Sequence, residues 1–185
     1  MRSVAIRAHP LVFGTVVFLA SESMLFAALL AAYFYLRGAT ASWPPRGTEL
    51  HVAGMAVGTA LLALGSVTMA IAQVAATRRG RALARAMLAV TIAAALGFLS
   101  LELHDWNTAN FHIADSAYAT VYYVLTGTHF AHVLAGVALL AAVAIFLREP
   151  AFTREHHAGV EAVAYYWHFV FVVWLALYAT IFLLK

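Results

Sequence analysis

Glu22 is an ionisable residue near the middle of a long apolar run. A carboxyl group in such a position is a candidate for binding a proton, an ion or a polar ligand. A carboxylate at that depth of a membrane is unfavourable by several kcal/mol unless it is paired or protonated. Helical spacing places Phe26 and Tyr33 on the same stripe, so the pattern predicts an inward-facing side for Glu22. Two interpretations stay open. Glu22 is a protonated carboxyl bonded to a neighbouring serine or backbone carbonyl, or it is a proton site, an ion site or a lipid-headgroup contact.

Histidines form the second set of candidate residues in apolar sequence. His129 and His132 are three residues apart and share one helix face, while Glu161, Tyr165 and His168 form a stripe of a later run. One interpretation is a metal or haem site, and the other is hydrogen bonding between helices. A haem in a membrane needs ligands at matched depths on separate positions or helices. We therefore expect no metal site here.

The composition decides which class of protein must position these residues. The hydrophobic fraction is 64% and the charged fraction is 10%, against about 45–50% and about 25% in soluble domains. A soluble fold of this size cannot hide so much apolar surface, and a disordered chain would be more polar. The absence of cysteine excludes disulfides, iron–sulfur clusters, Cys-based zinc or copper centres and covalent haem attachment.

Five apolar runs are long enough to be transmembrane α-helices, which need about 20 residues each. They lie at residues 11–36, 52–76, 83–103, 118–147 and 162–184. Alternation with a period of two is absent, so the sequence favours an all-α integral membrane protein. The connections are short, and we expect residues 1–185 to form a single membrane domain. The first run is too long for the core of a signal peptide, so we expect it to be retained.

Basic residues predict the orientation of the five crossings. Three lie on the side of the C-terminus, Arg37, Arg46 and Lys185. Eight lie on the side of the N-terminus, and they are Arg2, Arg7, Arg78, Arg79, Arg81, Arg85, Arg148 and Arg154. The positive-inside rule then predicts an inside N-terminus and an outside C-terminus.

Four blocks of the sequence resemble subunit III of the haem–copper oxidases of the cytochrome c oxidase type. They are Phe-Leu-Ala-Ser-Glu-Ser-Met-Leu-Phe (18–26), Trp-Pro-Pro (43–45), Thr-Gly-Thr-His-Phe-Ala-His-Val (126–133), and His-His-Ala-Gly-Val-Glu leading into Tyr-Trp-His-Phe-Val (156–170). The fourth block is the most specific. The resemblance runs from about residue 14 to the end of the chain. It points to a short five-helix bacterial form that lacks the first two helices of longer members.

The resemblance implies an architecture and a set of site residues. Two helices should stand apart from the other three around a lipid-filled cleft. The residues that it implies to be lipid-cleft or proton-related are Ser21, Glu22, His129, His132, Glu161, Trp167 and His168. It implies no catalytic residue and no metal ligand in this chain.

The implied function is that of a non-catalytic subunit of a proton-pumping aerobic terminal oxidase, in the bacterial cytoplasmic membrane as a multi-pass protein. Haems and copper belong to partner subunits, and the complex oxidises cytochrome c, reduces oxygen to water and moves protons. This chain would contact subunit I directly, with subunit II, small subunits and phospholipid as further partners and no nucleic acid. It would stabilise subunit I and support proton uptake.

Three residues at two sites depart from the family pattern. Phe171 stands where the family usually has Asp, and we expect its ring to face lipid or a neighbouring helix. Glu102 and Asp105 stand where Gln-x-x-Glu is common, so that polar site is altered rather than absent.

Several alternatives stay open on the sequence alone. They are subunit III of a quinol oxidase, the related protein that accompanies nitric oxide reductases, a proton-coupled transporter built on Glu22, and a small b-haem protein. A transporter of that kind predicts inverted repeats or broken helices, which the sequence does not show.

Overall fold

The structure is a computed structural model that describes residues 10–78, 80–147 and 154–184. For residues 154–156 it describes the backbone only. The described part is all helical. Its elements are α1 (Pro10–Ala39), α2 (Val52–Thr77), α3 (Arg81–Thr108), α4 (Ala117–Phe146), α5 (Arg154–Tyr178) and a final π-helical turn (Ala179–Leu183). All five α-helices are long and apolar enough to cross a membrane, which confirms the five predicted helices.

Helix ends follow local chemistry rather than the edges of the apolar runs. Pro10 begins α1, where its missing N–H is not needed. The Ser116 hydroxyl caps α4 by accepting a hydrogen bond from the Ala119 backbone N–H at 3.1 Å. Helix α5 begins at Arg154, well before the predicted start at residue 162, because polar residues extend the helix beyond its apolar part. Of the basic residues that predict the orientation, Arg2, Arg7, Arg79, Arg148 and Lys185 lie outside the described residues.

Helix α5 packs against three neighbours, α1, α2 and α4. Helices α2 and α3 form the most extensive pair, α3 also packs against α4, and α4 packs against α1. The expected division into a first pair and a later group of three is not seen in this packing. The segment between α1 and α2 allows them to separate, so α1 packs against α4 and α5 while α2 packs against α3 and α5.

Trp167 of α5 fills the middle of the bundle and is 1% exposed. Its ring lies between Gly65 of α2 and Gly136 of α4. A Cβ atom at Gly65 would lie 3.2 Å from the ring atom Cζ2, and one at Gly136 would lie 3.0 Å from Cζ3. The two glycines therefore make room for the indole, and Trp167 belongs to the packed core.

The two ends of the bundle differ in how they are filled. We call the end where α1, α3 and α5 finish the C-terminal end, and the opposite end the N-terminal end. Six buried or half-buried rings form an aromatic cluster at the C-terminal end: Tyr33, Trp43, Phe111, Tyr118, Tyr122 and Phe182. Neighbouring rings in this cluster have centroids 5.1–6.5 Å apart, as for Tyr33 with Trp43 and Tyr122 with Phe182.

Two apolar grooves open at the N-terminal end instead. The α1 groove, of about 680 Å³, lies between α1, α4 and α5, and Phe18, Ala135, Leu139, Ala142, Ala162 and Tyr166 are among its lining residues. The α2 groove, of about 440 Å³, follows the last turns of α2 to the start of α3. Its lining is Ala70, Ile71, Val74, Ala75, Arg78, Gly80 and Leu83.

Candidate functional site

Glu22 of α1 and His132 of α4 form an ion pair or hydrogen-bonded pair between two membrane-type helices. The carboxylate Oε2 lies 2.9 Å from the imidazole Nε2, and both side chains are less than one-fifth exposed, at 18% and 15%. The Phe26 ring packs against His132 with centroids 5.0 Å apart. Phe26 and Tyr33 are the buried residues of α1, so the stripe predicted from the sequence does face the bundle.

The hydrogen bonds of His132 fix how many protons the pair holds. Its Nδ1 lies 2.7 Å from the Thr128 carbonyl oxygen, which can only accept, so Nδ1 carries a hydrogen. The short contact between Nε2 and Glu22 Oε2 then requires one more proton, on either atom. The pair is neutral as a whole in both arrangements. Glu22 and His132 therefore share one hydrogen between the carboxyl oxygen and the imidazole nitrogen without leaving a lone charge among apolar side chains.

A third helix positions this pair. The Tyr166 hydroxyl of α5 donates to the His132 carbonyl oxygen at 2.9 Å. Serine is not the partner of Glu22, because the Ser21 and Ser23 hydroxyls donate to the Phe18 and Leu19 carbonyls of their own helix. One of the two interpretations left open by the sequence had a serine or a backbone carbonyl as the partner of Glu22, whereas the structure has an imidazole there.

His129 lies one helical turn from His132 but takes part in different contacts. It is fully buried, and its Nε2 donates to the Val170 carbonyl of α5 at 3.2 Å. Its ring packs against Trp174 with centroids 4.9 Å apart, and its Nδ1 has no hydrogen-bond partner among the described atoms. His129 and His132 therefore lie on the same helix but have different hydrogen-bond partners.

The other candidate residues of α5 are spread over separate contacts. The His168 Nδ1 lies 2.6 Å from the Ser66 hydroxyl of α2. The Tyr165 hydroxyl donates to Glu161 Oε1 at 3.3 Å on an exposed face. The Phe171 ring is partly buried and packs against the hydrophobic core. In the part of the chain that the structure describes, no three His, Asp or Glu side chains come close enough to hold a metal ion.

A second polar cluster, at the C-terminal end, was only partly visible in the sequence. Asp105 accepts from the Tyr122 hydroxyl through Oδ2, and its Oδ1 lies 2.9 Å from His51 Nδ1. Glu102, one turn earlier on α3, is 2% exposed, and neither of its oxygens has a hydrogen-bond partner among the described atoms. We call these four residues the Asp105 cluster. His51 was missed because it stands 54 positions from Asp105 and outside every apolar run.

These features define a multi-pass helical membrane protein with a proton-sharing pair between its helices. Residues 3–185 match the family model of cytochrome c oxidase subunit III. The chain belongs to this family, and it is accordingly a subunit III of a haem–copper oxidase.

Relatives that are longer than this chain to different extents support the family assignment. A cytochrome c oxidase subunit 3 from Thermostichus vulcanus is 33% identical over 94% of this chain and 87% of its own length. The protein of the same name from Synechocystis is 35% identical over 93% of this chain and 75% of its own. The one from Struthio camelus is 35% identical over 92% of this chain and 68% of its own.

Proposed function

We propose that this chain is a non-catalytic subunit III of a proton-pumping aerobic terminal oxidase of the cytochrome c oxidase type. In this proposal it packs directly beside subunit I, with subunit II and small subunits in the same complex. The haems and copper are held by subunits I and II, and the membrane is the bacterial cytoplasmic membrane. The match to subunit III over residues 3–185 is the observation that carries the proposal.

The contacts of the three intramembrane histidines support the non-catalytic role. His129 bonds to a backbone carbonyl, His132 to Glu22, and His168 to Ser66. Each histidine is used by a different helix pair, so they do not converge on a common centre.

The Glu22–His132 pair supports a part in proton uptake. A pair that shares one proton can lose it or gain a second one, and its neighbours on three helices hold its position. We propose that this pair supplies or buffers protons for the subunit that contains the chemistry.

The α1 groove supports the binding of phospholipid. Its walls are apolar and come from α1 on one side and from α4 and α5 on the other. Tyr166 lines this groove and also bonds to His132, so the groove borders the proton-sharing pair. We place the lipid cleft here, between α1 and the α4–α5 pair.

Arginines support an inside location for the N-terminal end. Arg78, Arg81 and Arg85 lie at or near the turn between α2 and α3, at that end of the bundle. Arg37 and Arg46 lie at the other end. This distribution favours an inside N-terminus and an outside C-terminus.

Co-purification tests the proposed function. A tagged chain is extracted from its native membrane in mild detergent, its partners are identified by mass spectrometry, and an absorption spectrum is recorded. We expect haem-containing subunits and oxygen reduction with reduced cytochrome c. Turnover with quinol alone would indicate a quinol oxidase, and turnover of nitric oxide would indicate the related reductase. A chain that purifies without a haem protein would contradict the proposal.

A further inference from the structure

Among the residues that the structure describes, Glu102 has neither an ion-pair partner nor a hydrogen-bond donor to stabilise a negative charge. It is 2% exposed, and both carboxyl oxygens are buried without a hydrogen-bond partner among the described atoms. Buried polar atoms without partners are uncommon in proteins and require a physical explanation. A buried carboxylate of this kind is strongly unfavourable, whereas a protonated carboxyl avoids the desolvated charge.

Asp105 makes a charge on Glu102 still less favourable. The two residues are three positions apart on α3 and therefore share one helix face. The Asp105 carboxyl accepts from the Tyr122 hydroxyl and is bonded to His51, so it has the donors that a carboxylate needs. Of two neighbouring carboxyls, the one without donors is the one that keeps the proton.

The groups that face the cluster in the described part of the chain are tyrosines and a histidine. Tyr118 and Tyr122 face it from α4, and His51 faces it from the start of α2. From the last turn of the chain, the apolar ring of Phe182 packs against Tyr122. His51 is the group of this cluster that reaches solvent, because its side chain is 47% exposed while that of Asp105 is 6% exposed.

We propose that Glu102 is a proton-binding site that exchanges with the solution at the C-terminal end through Asp105 and His51. Release breaks the Glu102 O–H bond and leaves a carboxylate. A rotation of the Glu102 side chain brings its carboxyl to Asp105, one turn along α3, and the proton is transferred to the Asp105 carboxylate. Asp105 passes it to His51 Nδ1 when that nitrogen is in its unprotonated tautomer, and the imidazolium so formed releases a proton from Nε2 to a buffer base in the solution. Uptake is the reverse. This site goes beyond the proposed role of Glu22, and it stands whether or not Glu22 takes part in proton uptake.

The Glu102 site is separate from the Glu22–His132 pair. Tyr122 and His132, which contact the two sites, are ten residues apart on α4, or about 15 Å along the helix axis. The Glu22–His132 pair borders the α1 groove. Glu102 lies near the C-terminal end of α3, close to His51 and the aromatic cluster. The two carboxyls therefore exchange protons by different routes.

Infrared spectroscopy of the intact oxidase tests whether Glu102 is protonated. The wild-type spectrum minus that of Glu102→Gln should show one lost C=O band of a protonated carboxyl and no lost carboxylate band. The matched control is Asp115→Asn at the same end, whose side chain is 54% exposed. It should lose carboxylate bands only. Loss of carboxylate bands in Glu102→Gln would show an ionised Glu102 and overturn the proposal.

A second variant keeps the test decisive if the glutamine variant fails to assemble. Glu102→Asp retains a carboxyl but shortens it by one methylene, so the protonated band should move in frequency rather than vanish. A band that stays at its wild-type position in Glu102→Asp does not belong to Glu102 and would contradict the assignment.

Deuterium exchange tests the route through His51. After transfer to heavy-water buffer, the Glu102 band should shift several-fold more slowly in His51→Phe than in the wild type. His112→Phe is the control, because His112 is an exposed histidine at the same end with a side chain that is 87% exposed. Equal exchange rates in His51→Phe and the wild type would show that the proton leaves by another path.

Discussion

The two ends of the bundle solve the packing problem in opposite ways. At the C-terminal end, rings from α1, α4, the loops and the final turn fill the space within the chain itself. At the N-terminal end, alanines and glycines leave two apolar grooves of about 680 and 440 Å³. Small side chains in membrane proteins permit close approach by other molecules. The difference separates an end that is filled by the chain's own side chains from an end that leaves two apolar grooves open, one of which is the lipid cleft of the proposed function.

The two ends also treat their carboxyl groups differently. Glu22 has an imidazole partner on another helix, so one proton keeps the pair neutral. Glu102 has no partner among the described atoms, while Asp105 takes the donors of that cluster. Both arrangements avoid a lone buried charge, one by pairing and the other by protonation. Their spectroscopic and mutational responses should therefore differ.

The largest expected effect is a difference in the free energy of unfolding between equivalent substitutions at the two ends. Phe111→Ala removes a ring that is 8% exposed and packs against Tyr118 and Tyr122. We expect the free energy of unfolding in mixed micelles to fall by about 3 kcal/mol, as for other buried Phe→Ala changes.

The matched control is Phe13→Ala at the N-terminal end, where the ring is 65% exposed. We expect a loss below about 1 kcal/mol, because few contacts within the chain disappear. Equal losses at the two positions would contradict the contrast between a filled end and an open one.

The next effect concerns the Glu22–His132 pair. His132→Ala removes the partner of Glu22 and the T-shaped contact with Phe26. We expect a loss of about 2 kcal/mol, because a carboxyl is left without its hydrogen bond. Adding Glu22→Ala should cost less than it does in the wild type, with a coupling energy of about 1 kcal/mol in the double-mutant cycle. Strict additivity would show that the two side chains do not interact.

Much of the fold, but not the partners of its polar residues, could be predicted from the sequence. Apolar run length predicts the five helices, and helical periodicity predicts that Phe26 and Tyr33 share the buried face with Glu22. The partner of Glu22 could not be predicted from the sequence, because His132 stands 110 positions away. A second histidine, His129, lies only one helical turn from His132 and was an equally good candidate. Which of the two histidines meets α1 depends on the rotation of α4, which the sequence pattern does not determine.

The helix arrangement shows the same limitation. The expected separation of two helices from the other three rests on resemblance to longer chains, and run lengths contain no information on which helices touch. The described packing depends on shape, for example on Trp167 fitting between Gly65 and Gly136. Such a fit involves three helices at once and becomes visible only when their positions are known.

A smaller effect should distinguish the grooves at the N-terminal end from surface elsewhere. Arg78 is the charged residue in the lining of the α2 groove, and the stretch 50–101 contains no acidic residue. Removing one arginine near an anionic surface weakens lipid binding by about 1 kcal/mol, or about fivefold. We therefore expect Arg78→Gln to retain about fivefold less phosphatidylglycerol in native mass spectrometry of the complex, with phosphatidylcholine unchanged.

Arg46→Gln is the control for the loss of one positive charge at the opposite end. Groove filling offers an independent check, since Ala70→Phe places a ring in the α2 groove without altering charge. It should displace lipid, whereas Ala60→Phe, at an exposed position of the same helix outside the groove lining, should not. Equal lipid retention in Arg78→Gln and Arg46→Gln would show that the α2 groove does not bind anionic lipid.

The smallest expected effect on initial activity comes from Glu22→Gln. This variant tests the role of the carboxyl proton while it preserves the contact between the helices. The glutamine amide can donate to His132 Nε2, so the helix contact survives while the titratable carboxyl proton is lost. We expect initial oxygen reduction close to wild type, because the redox chemistry is proposed to lie in partner subunits. If the pair buffers protons, turnover should slow or the enzyme lifetime should shorten as the pH is raised. A variant that assembles with all its haem yet shows no initial oxygen reduction would overturn the non-catalytic role, because that role assigns the redox chemistry to partner subunits and leaves this pair only a supporting part.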